Sequence, residues 1–419
     1  MDFLSFMCNN HIKHNKIRLA DIYSACFDRY AKNPKEFIKP EVYRAVYQTL
    51  ACRTPKLGTS IYCCPGCHKK QLVYHSCKNR FCPTCGYSDT NKWAKNILPK
   101  LINCKHHHII FTLPASLRLI AKANIKVIHS LILKASAETM IDWFNARYNT
   151  RPGIISVLHT AGGSQKYHLH VHMLCTAGGI DNKNKKFKPT EDKWYLIRQD
   201  FLAKKFRWHF ENLLFKVFNN DLLFTPYDNI YEFKSFIKEV NKQEWVCSVQ
   251  PPLDNPESIV RYVGRYTKRA CLSEYNIKEF DGEYISFQYK DNRDKGHNGL
   301  PKIKIIKLHY RDFFARLFQH VPPKSFRMAR YYGVYSHKLI NTISKELKQN
   351  TPTGQTNYTW RQYQIIKTGV DPLFCNDCKK ELVYVYTLFD GRKRRWRRNK
   401  KFKIPDFYPN YEFERPKYA

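Results

Sequence analysis

Three histidines alternate with apolar residues in His168-Leu169-His170-Val171-His172. Side chains two apart in a strand share a face, so the alternation predicts a β-strand with a row of imidazoles on one side. Such a row suits a divalent cation that polarises a phosphate. The plainer reading is a strand whose histidines are solvated or hydrogen-bonded in a core.

Downstream, Ile-Val-Arg-Tyr-Val-Gly-Arg-Tyr-Thr-Lys-Arg places Tyr262 and Tyr266 one helical turn apart. Residues four apart lie on one helix face, so both phenols can serve one reaction centre. Tyrosines at that spacing are also common as packing residues; it is the histidine strand that gives them a chemical partner. A phenolate beside a metal-bound phosphate can attack the phosphorus. Arg261, Arg265, Lys268 and Arg269 stand on or beside the same helix, as charge-neutralising groups or as simple backbone-binding cations.

The charge balance points to a polyanion. The chain carries 72 Lys+Arg against 35 Asp+Glu, a formal net charge of +37. Such an excess attracts phosphates and makes affinity depend on salt through counterion release. With 28 Tyr and 27 Phe, aromatic rings are interleaved with the cations, a combination suited to unpaired bases. In the stretch Gly391 to Lys403, nine of thirteen residues are basic. Arg394, Arg395, Arg397 and Arg398 there are expected to clamp DNA without sequence preference.

Six of the fifteen cysteines fall between Cys63 and Cys85. Cys64-Pro65-Gly66-Cys67 and Cys82-Pro83-Thr84-Cys85 are two knuckles fourteen residues apart, the spacing of a four-thiolate structural Zn²⁺ site. Cys77 is an alternative ligand. Lys69, Lys70, Lys78, Arg80, Tyr74 and Phe81 decorate this module and suggest that it also grips DNA. A further knuckle, Cys375-Asn376-Asp377-Cys378, reads as half a zinc ribbon without its other half. The thiols and the absence of a secretory pattern or an apolar run of membrane-spanning length point to a reducing cytoplasm.

Apolar spacing predicts helices up to about residue 55, with Leu19, Ile22, Tyr23, Cys26, Phe27 and Tyr30 on one face. Strands are expected at 106–113, 154–160, 168–176, 244–249, 284–289 and 303–308, with helices at about 116–148 and up to 218. This order indicates an α+β fold on an antiparallel sheet. Three parts are expected: a helical and zinc-binding segment at 1–100, a catalytic domain at 101–335 with a helical insertion near 181–242, and a basic region at 336–419.

The cysteine knuckles, His106-His107-His108-Ile109-Ile110-Phe111-Thr112-Leu113-Pro114, Val157-Leu158-His159-Thr160, the histidine strand closed by Gly178-Gly179, and Tyr-x-x-x-Tyr follow one another in an order that resembles the rolling-circle insertion-sequence transposases of the ninety-one family. The resemblance spans roughly residues 18 to 335. It implies an HUH endonuclease core with an N-terminal zinc-binding domain, acting on single-stranded DNA at mobile-element ends and on target DNA, and drawing on a host helicase and replication machinery. It places the metal pair at His170 and His172 and the nucleophiles at Tyr262 and Tyr266. His159 is the expected third ligand, because a short hairpin returns it beside His170, and His168 is the alternative. Mg²⁺ or Mn²⁺ is the expected catalytic ion. Attack by tyrosine leaves a 5′-phosphotyrosine and a free 3′-hydroxyl. A plasmid relaxase or replication initiator shares the histidines and tyrosine, although neither begins with this zinc module and no fused-helicase phosphate loop is present. A zinc-ribbon binding protein without catalysis is the alternative from a different class.

Overall fold

The computed structural model describes residues 17–34, 37–184, 186–190, 197–253, 271–296, 299–340 and 369–389, together with 260, 264, 359, 361, 362, 364 and 365. The chain divides into two compact units, one of residues 1–50 with 78–352, the other of 51–77 with 353–419. Residues from the expected N-terminal and C-terminal segments thus both contribute to the smaller unit.

The larger unit is built on an antiparallel sheet. Its strands are β3 (His106–Thr112), β4 (Thr150–Ala161), β5 (Tyr167–Asp181), β7 (Cys247–Val249) and β11 (Ala329–Gly333), in the order β11-β4-β5-β3-β7, with β6 (Phe187–Pro189) paired to β5. Residues opposite one another across antiparallel strands share a face. Leu169, Val171, Met173 and Cys175 of β5 therefore join Ile109 and Phe111 of β3 and Ile154 and Leu158 of β4 on one side. That side is apolar except for the buried His107 of β3 and Ser156 of β4, and it packs against α5 (Ile125–Tyr148), through Ile128, Leu131, Ile132, Ala135, Met140 and Phe144, and against Leu202, Phe206, Phe210 and Leu214 of α6 (Gln199–Phe218). A chain with this alternation buries its apolar row, and the histidines go to the opposite face as a consequence. Helix α5 ends at Asn149, whose left-handed backbone (φ 52°) and N–H bonds to the Asn145 and Phe144 carbonyls turn the chain straight into β4.

Among the described residues, the second face is covered only in part. Ile155, Val157 and Leu174 pack on Ala94, Ile97 and Leu98 at the end of α3 (Pro83–Ile97), on Val260, and on Val334 and Tyr335. Beyond that cluster lie the histidines. A separate layer holds α1 (Leu19–Ala31), α2 (Pro40–Ala51) and α8 (Tyr310–Phe318) against the antiparallel sheet β8 (Ile277–Phe280), β9 (Tyr284–Lys295) and β10 (Pro301–His309). All six apolar residues expected on the face of α1 are buried there. The hairpin of β9 and β10 is longer than the strands expected at 284–289 and 303–308, since pairing continues to Lys295 with a bulge at Pro301.

The smaller unit carries β1 (Thr59–Cys63), β2 (Lys70–Tyr74) and β12 (Val383–Leu388) in the order β12-β1-β2. The fold is α+β with antiparallel sheets throughout. No helix among the described residues is long and apolar enough to cross a membrane.

Candidate metal centre of the histidine strand

Register decides which histidines meet. His159 on β4 lies directly opposite His170 on β5, and His172 follows two residues on, so all three rings stand on the same sheet face. Their ligand nitrogens lie within 4.8 Å of one another. His159 Nδ1 is 3.1 Å from His170 Nε2, and the ring centroids are separated by 4.8 Å for His159–His170, 4.9 Å for His170–His172 and 6.0 Å for His159–His172. His168 has its ring centroid 5.0 Å from that of His170, outside this group of three, and its carbonyl accepts a 2.9 Å bond from His170 Nδ1.

Those bonds orient the rings. Donation from His170 Nδ1 leaves the Nε2 lone pair of His170 as the ligand. His172 Nδ1 is 3.0 Å from His108 Nε2, and His108 Nδ1 is 2.9 Å from Gln250 Oε1. With the amide oxygen as acceptor, His108 carries its proton on Nδ1 and accepts from His172 Nδ1, which directs the His172 lone pair to Nε2. Burial holds His159 well below the usual imidazole range and brings His170 to about 4 and His172 to about 2, with neighbouring imidazoles adding to each effect. The rings are therefore neutral at pH 7, the protonation state a metal ligand needs.

Three neutral imidazoles fit a transition-metal or Mn²⁺ ion. Two ligands at right angles on a cation with bonds of about 2.1 Å sit about 3.0 Å apart, close to the His159–His170 separation. His159, His168, His170 and His172 line a cavity of about 780 Å³, together with Arg80, Lys290 and His320. Burial lowers the Arg80 guanidinium to about 10, so it stays charged at neutral pH. Arg80 and Lys290 bring positive charge to a cavity large enough for several nucleotide atoms. His320 is held by Thr160 Oγ1 at 3.0 Å and the Gln165 carbonyl at 3.1 Å.

Tyr262, Tyr266, Arg261, Arg265, Lys268 and Arg269 lie outside the described residues, as do Arg394, Arg395, Arg397 and Arg398. Two neighbours in the tyrosine run are described. Val260 and Gly264 are both helical; Val260 is fully buried in the α3 cluster, and the Gly264 carbonyl accepts from Thr90 Oγ1 at 3.3 Å. A Cβ at Gly264 would sit 3.0 Å from the Trp93 ring, so a glycine there allows close approach to α3.

Comparison with known proteins gives the family. Residues 153–342 match the family model described as "Putative transposase", and residues 22–113 match the "Transposase zinc-binding domain" of the IS91 type. The chain belongs to the IS91 family of transposases. It is 27% identical over 383 residues, 84% of this chain and 93% of the relative, to "Putative transposase y4qJ" of Sinorhizobium fredii. It is 27% identical over 355 residues, 81% of this chain and 82% of the relative, to the transposase for insertion sequence element IS801 of Pseudomonas savastanoi pv. phaseolicola. No solved structure matches the chain. As a transposase, it is a DNA-processing enzyme.

In this IS91-family chain the thiols are grouped differently from the expected zinc set. Cys64 and Cys67 face Cys375 and Cys378, all within the smaller unit, instead of sharing a site with Cys82 and Cys85. The knuckle that looked solitary is the partner, because strand β12 beyond it pairs with β1 just before Cys64. Sequence spacing favours near neighbours and carries no signal for a partner 308 residues away. Cys82 caps the N-terminus of α3, with Cys85 in its first turn. In the smaller unit Cys77 donates its N–H to Cys52 Sγ at 3.5 Å. Residue spacing also assigns no role to His108, Gln250, Lys290 and His320. Of these only His108 had a signal, as part of the His106-His107-His108 run.

Proposed function

We propose that this transposase nicks and rejoins single-stranded DNA at the ends of a mobile element through 5′-phosphotyrosine intermediates, in a rolling-circle type of transposition. The observation that carries this reading is the register of β4 and β5, which gathers His159, His170 and His172 into one neutral donor set at the wall of a cationic cavity. The segment 101–335 is the proposed nuclease domain.

His159, His170 and His172 would hold the cation. An all-nitrogen set of this kind favours Mn²⁺ over Mg²⁺. When bound, the ion supplies Lewis-acid polarisation of the scissile phosphate. The protein's own groups do the rest. A phenol with its ordinary pKa near 10 is a weak nucleophile at neutral pH, so one of Tyr262 and Tyr266 must give up its proton as it attacks phosphorus. The P–O bond to the 3′-oxygen breaks, that oxygen leaves as a 3′-hydroxyl, and the strand's 5′-phosphate stays on the tyrosine. Arg80 and Lys290 bind the phosphates and offset the negative charge that builds up on phosphorus. The bond energy is kept in the phosphotyrosine, so a 3′-hydroxyl can reverse the step elsewhere without ATP. Two tyrosines permit two transfers in succession.

The test uses oligonucleotides carrying candidate element ends, with Mn²⁺, and looks for a covalent protein–DNA adduct. Mass-spectrometric mapping is expected to place the adduct on Tyr262 or Tyr266, and an adduct on neither would overturn the mechanism. His170→Ala with His172→Ala is expected to abolish cleavage while leaving single-strand binding within a few-fold, because phosphate contacts are spread over many other residues. Cleavage at the unmodified rate in that double variant would refute the metal assignment.

A further inference from the structure

The C-terminal knuckle lies far beyond the matched zinc-binding domain, which ends at residue 113. Its thiols nonetheless meet those of the first knuckle. All four sulfurs of Cys64, Cys67, Cys375 and Cys378 fall within 4.8 Å of one another, and Cys67 Sγ is 3.5 Å from Cys375 Sγ. Four sulfurs arranged tetrahedrally around Zn²⁺ with bonds of about 2.3 Å are about 3.8 Å apart, a spacing that the cluster approaches. All four cysteines are free thiols.

The two loops are the same structure twice. In the first, Cys64 N donates to the Lys69 carbonyl at 2.9 Å and His68 N to the Cys64 carbonyl at 3.0 Å; in the second, Cys375 N donates to the Lys380 carbonyl at 2.9 Å and Lys379 N to the Cys375 carbonyl at 3.0 Å. His68 and Lys379, each directly after the second cysteine of its loop, both take the left-handed conformation, with φ of 58° and 52°. That conformation is unfavourable for a residue with a Cβ, and its occurrence at matching positions marks two loops shaped for one purpose. Gly66 N donates to Cys64 Sγ at 3.3 Å, a bond that favours a thiolate. Lys69 of one loop is ion-paired with Asp377 of the other. Cys64 and Cys375 are buried, with Leu382 and Tyr62 packed around them.

We propose that Cys64, Cys67, Cys375 and Cys378 form a single four-thiolate Zn²⁺ site. The ion joins two segments separated by about three hundred residues and closes the sheet in which β12 pairs with β1. The strongly basic run that begins at Arg392 follows β12 by four residues, so the site anchors the root of that run. This inference does not depend on the nuclease chemistry.

The test measures zinc per chain in the full-length protein and in three variants: Cys64→Ser with Cys67→Ser, Cys375→Ser with Cys378→Ser, and all four together. Each double variant is expected to lose one equivalent, and the quadruple variant no more than either double. Full zinc content in the Cys375/Cys378 variant, or a loss of two equivalents in the quadruple, overturns the proposal. Because these variants can unfold, the unmodified protein gives an independent reading by differential alkylation during chelator titration. The four thiols should become reactive together; Cys375 and Cys378 reacting before any chelator is added would overturn the shared site.

Discussion

His172 shows how much of a metal centre is set by residues that never touch the ion. Its Nδ1 is committed to His108, and His108 in turn to Gln250, so a chain of two hydrogen bonds selects the tautomer and the angle of the ring. Partners of this kind typically contribute 10–100-fold to metal affinity. His108→Ala is therefore expected to weaken Mn²⁺ binding by roughly that factor and to raise the metal concentration needed for cleavage, with little change in the rate at saturating metal. Isothermal titration of both proteins with Mn²⁺ checks it. An unchanged dissociation constant would mean that the ring needs no such support.

Elements constrain one another most tightly where β4 crosses Tyr335. Gly153 pairs with Gly333 at the end of β11, and a Cβ at Gly153 would come within 2.7 Å of the Tyr335 ring. The hydroxyl of that ring contacts His106 Nε2 at 2.8 Å and accepts from Ile102 N at 3.1 Å, so it ties β3 to the segment after α3. Gly153→Ala must push the ring or the strand aside and is expected to destabilise the protein by about 1–3 kcal/mol, the usual range for overpacking. Denaturant unfolding measures it. A neutral result would show that Tyr335 can move without loss of these bonds.

The whole molecule buries histidines beyond those at the cavity. Burial brings His106 to about 4 and His129 to about 3, against an ordinary value near 6.5. Between those values the unfolded chain binds more protons than the folded one, so stability rises with pH through that window, is complete above it, and is lost as pH falls. A fall from pH 7 to 5 is expected to cost roughly 2 kcal/mol for each of the two. The urea midpoint should drop accordingly, and the double variant His106→Gln with His129→Gln should reduce that dependence by the share of these two, while the buried histidines of the cavity keep theirs. A midpoint equally pH-sensitive in the double variant would assign the effect elsewhere.

Local patterns carried the elements and part of the site. The period-two histidines of β5 and the helical spacing of α1 were legible because each is a statement about neighbours along one element, and burial of the apolar row follows from it. The approach of His159 to His170 was also legible, since a short hairpin leaves few registers to choose from. Sequence alone could not pair Cys64 and Cys67 with Cys375 and Cys378, because their encounter depends on β12 adding to β1 across the length of the chain, and a four-residue knuckle holds no information about which distant knuckle it will meet. The same limit applies to Gln250, Lys290 and His320, which reach the histidine face from separate parts of the chain. Short-range periodicity chose the faces; the long-range pairing of strands, with the burial it makes possible, chose the partners.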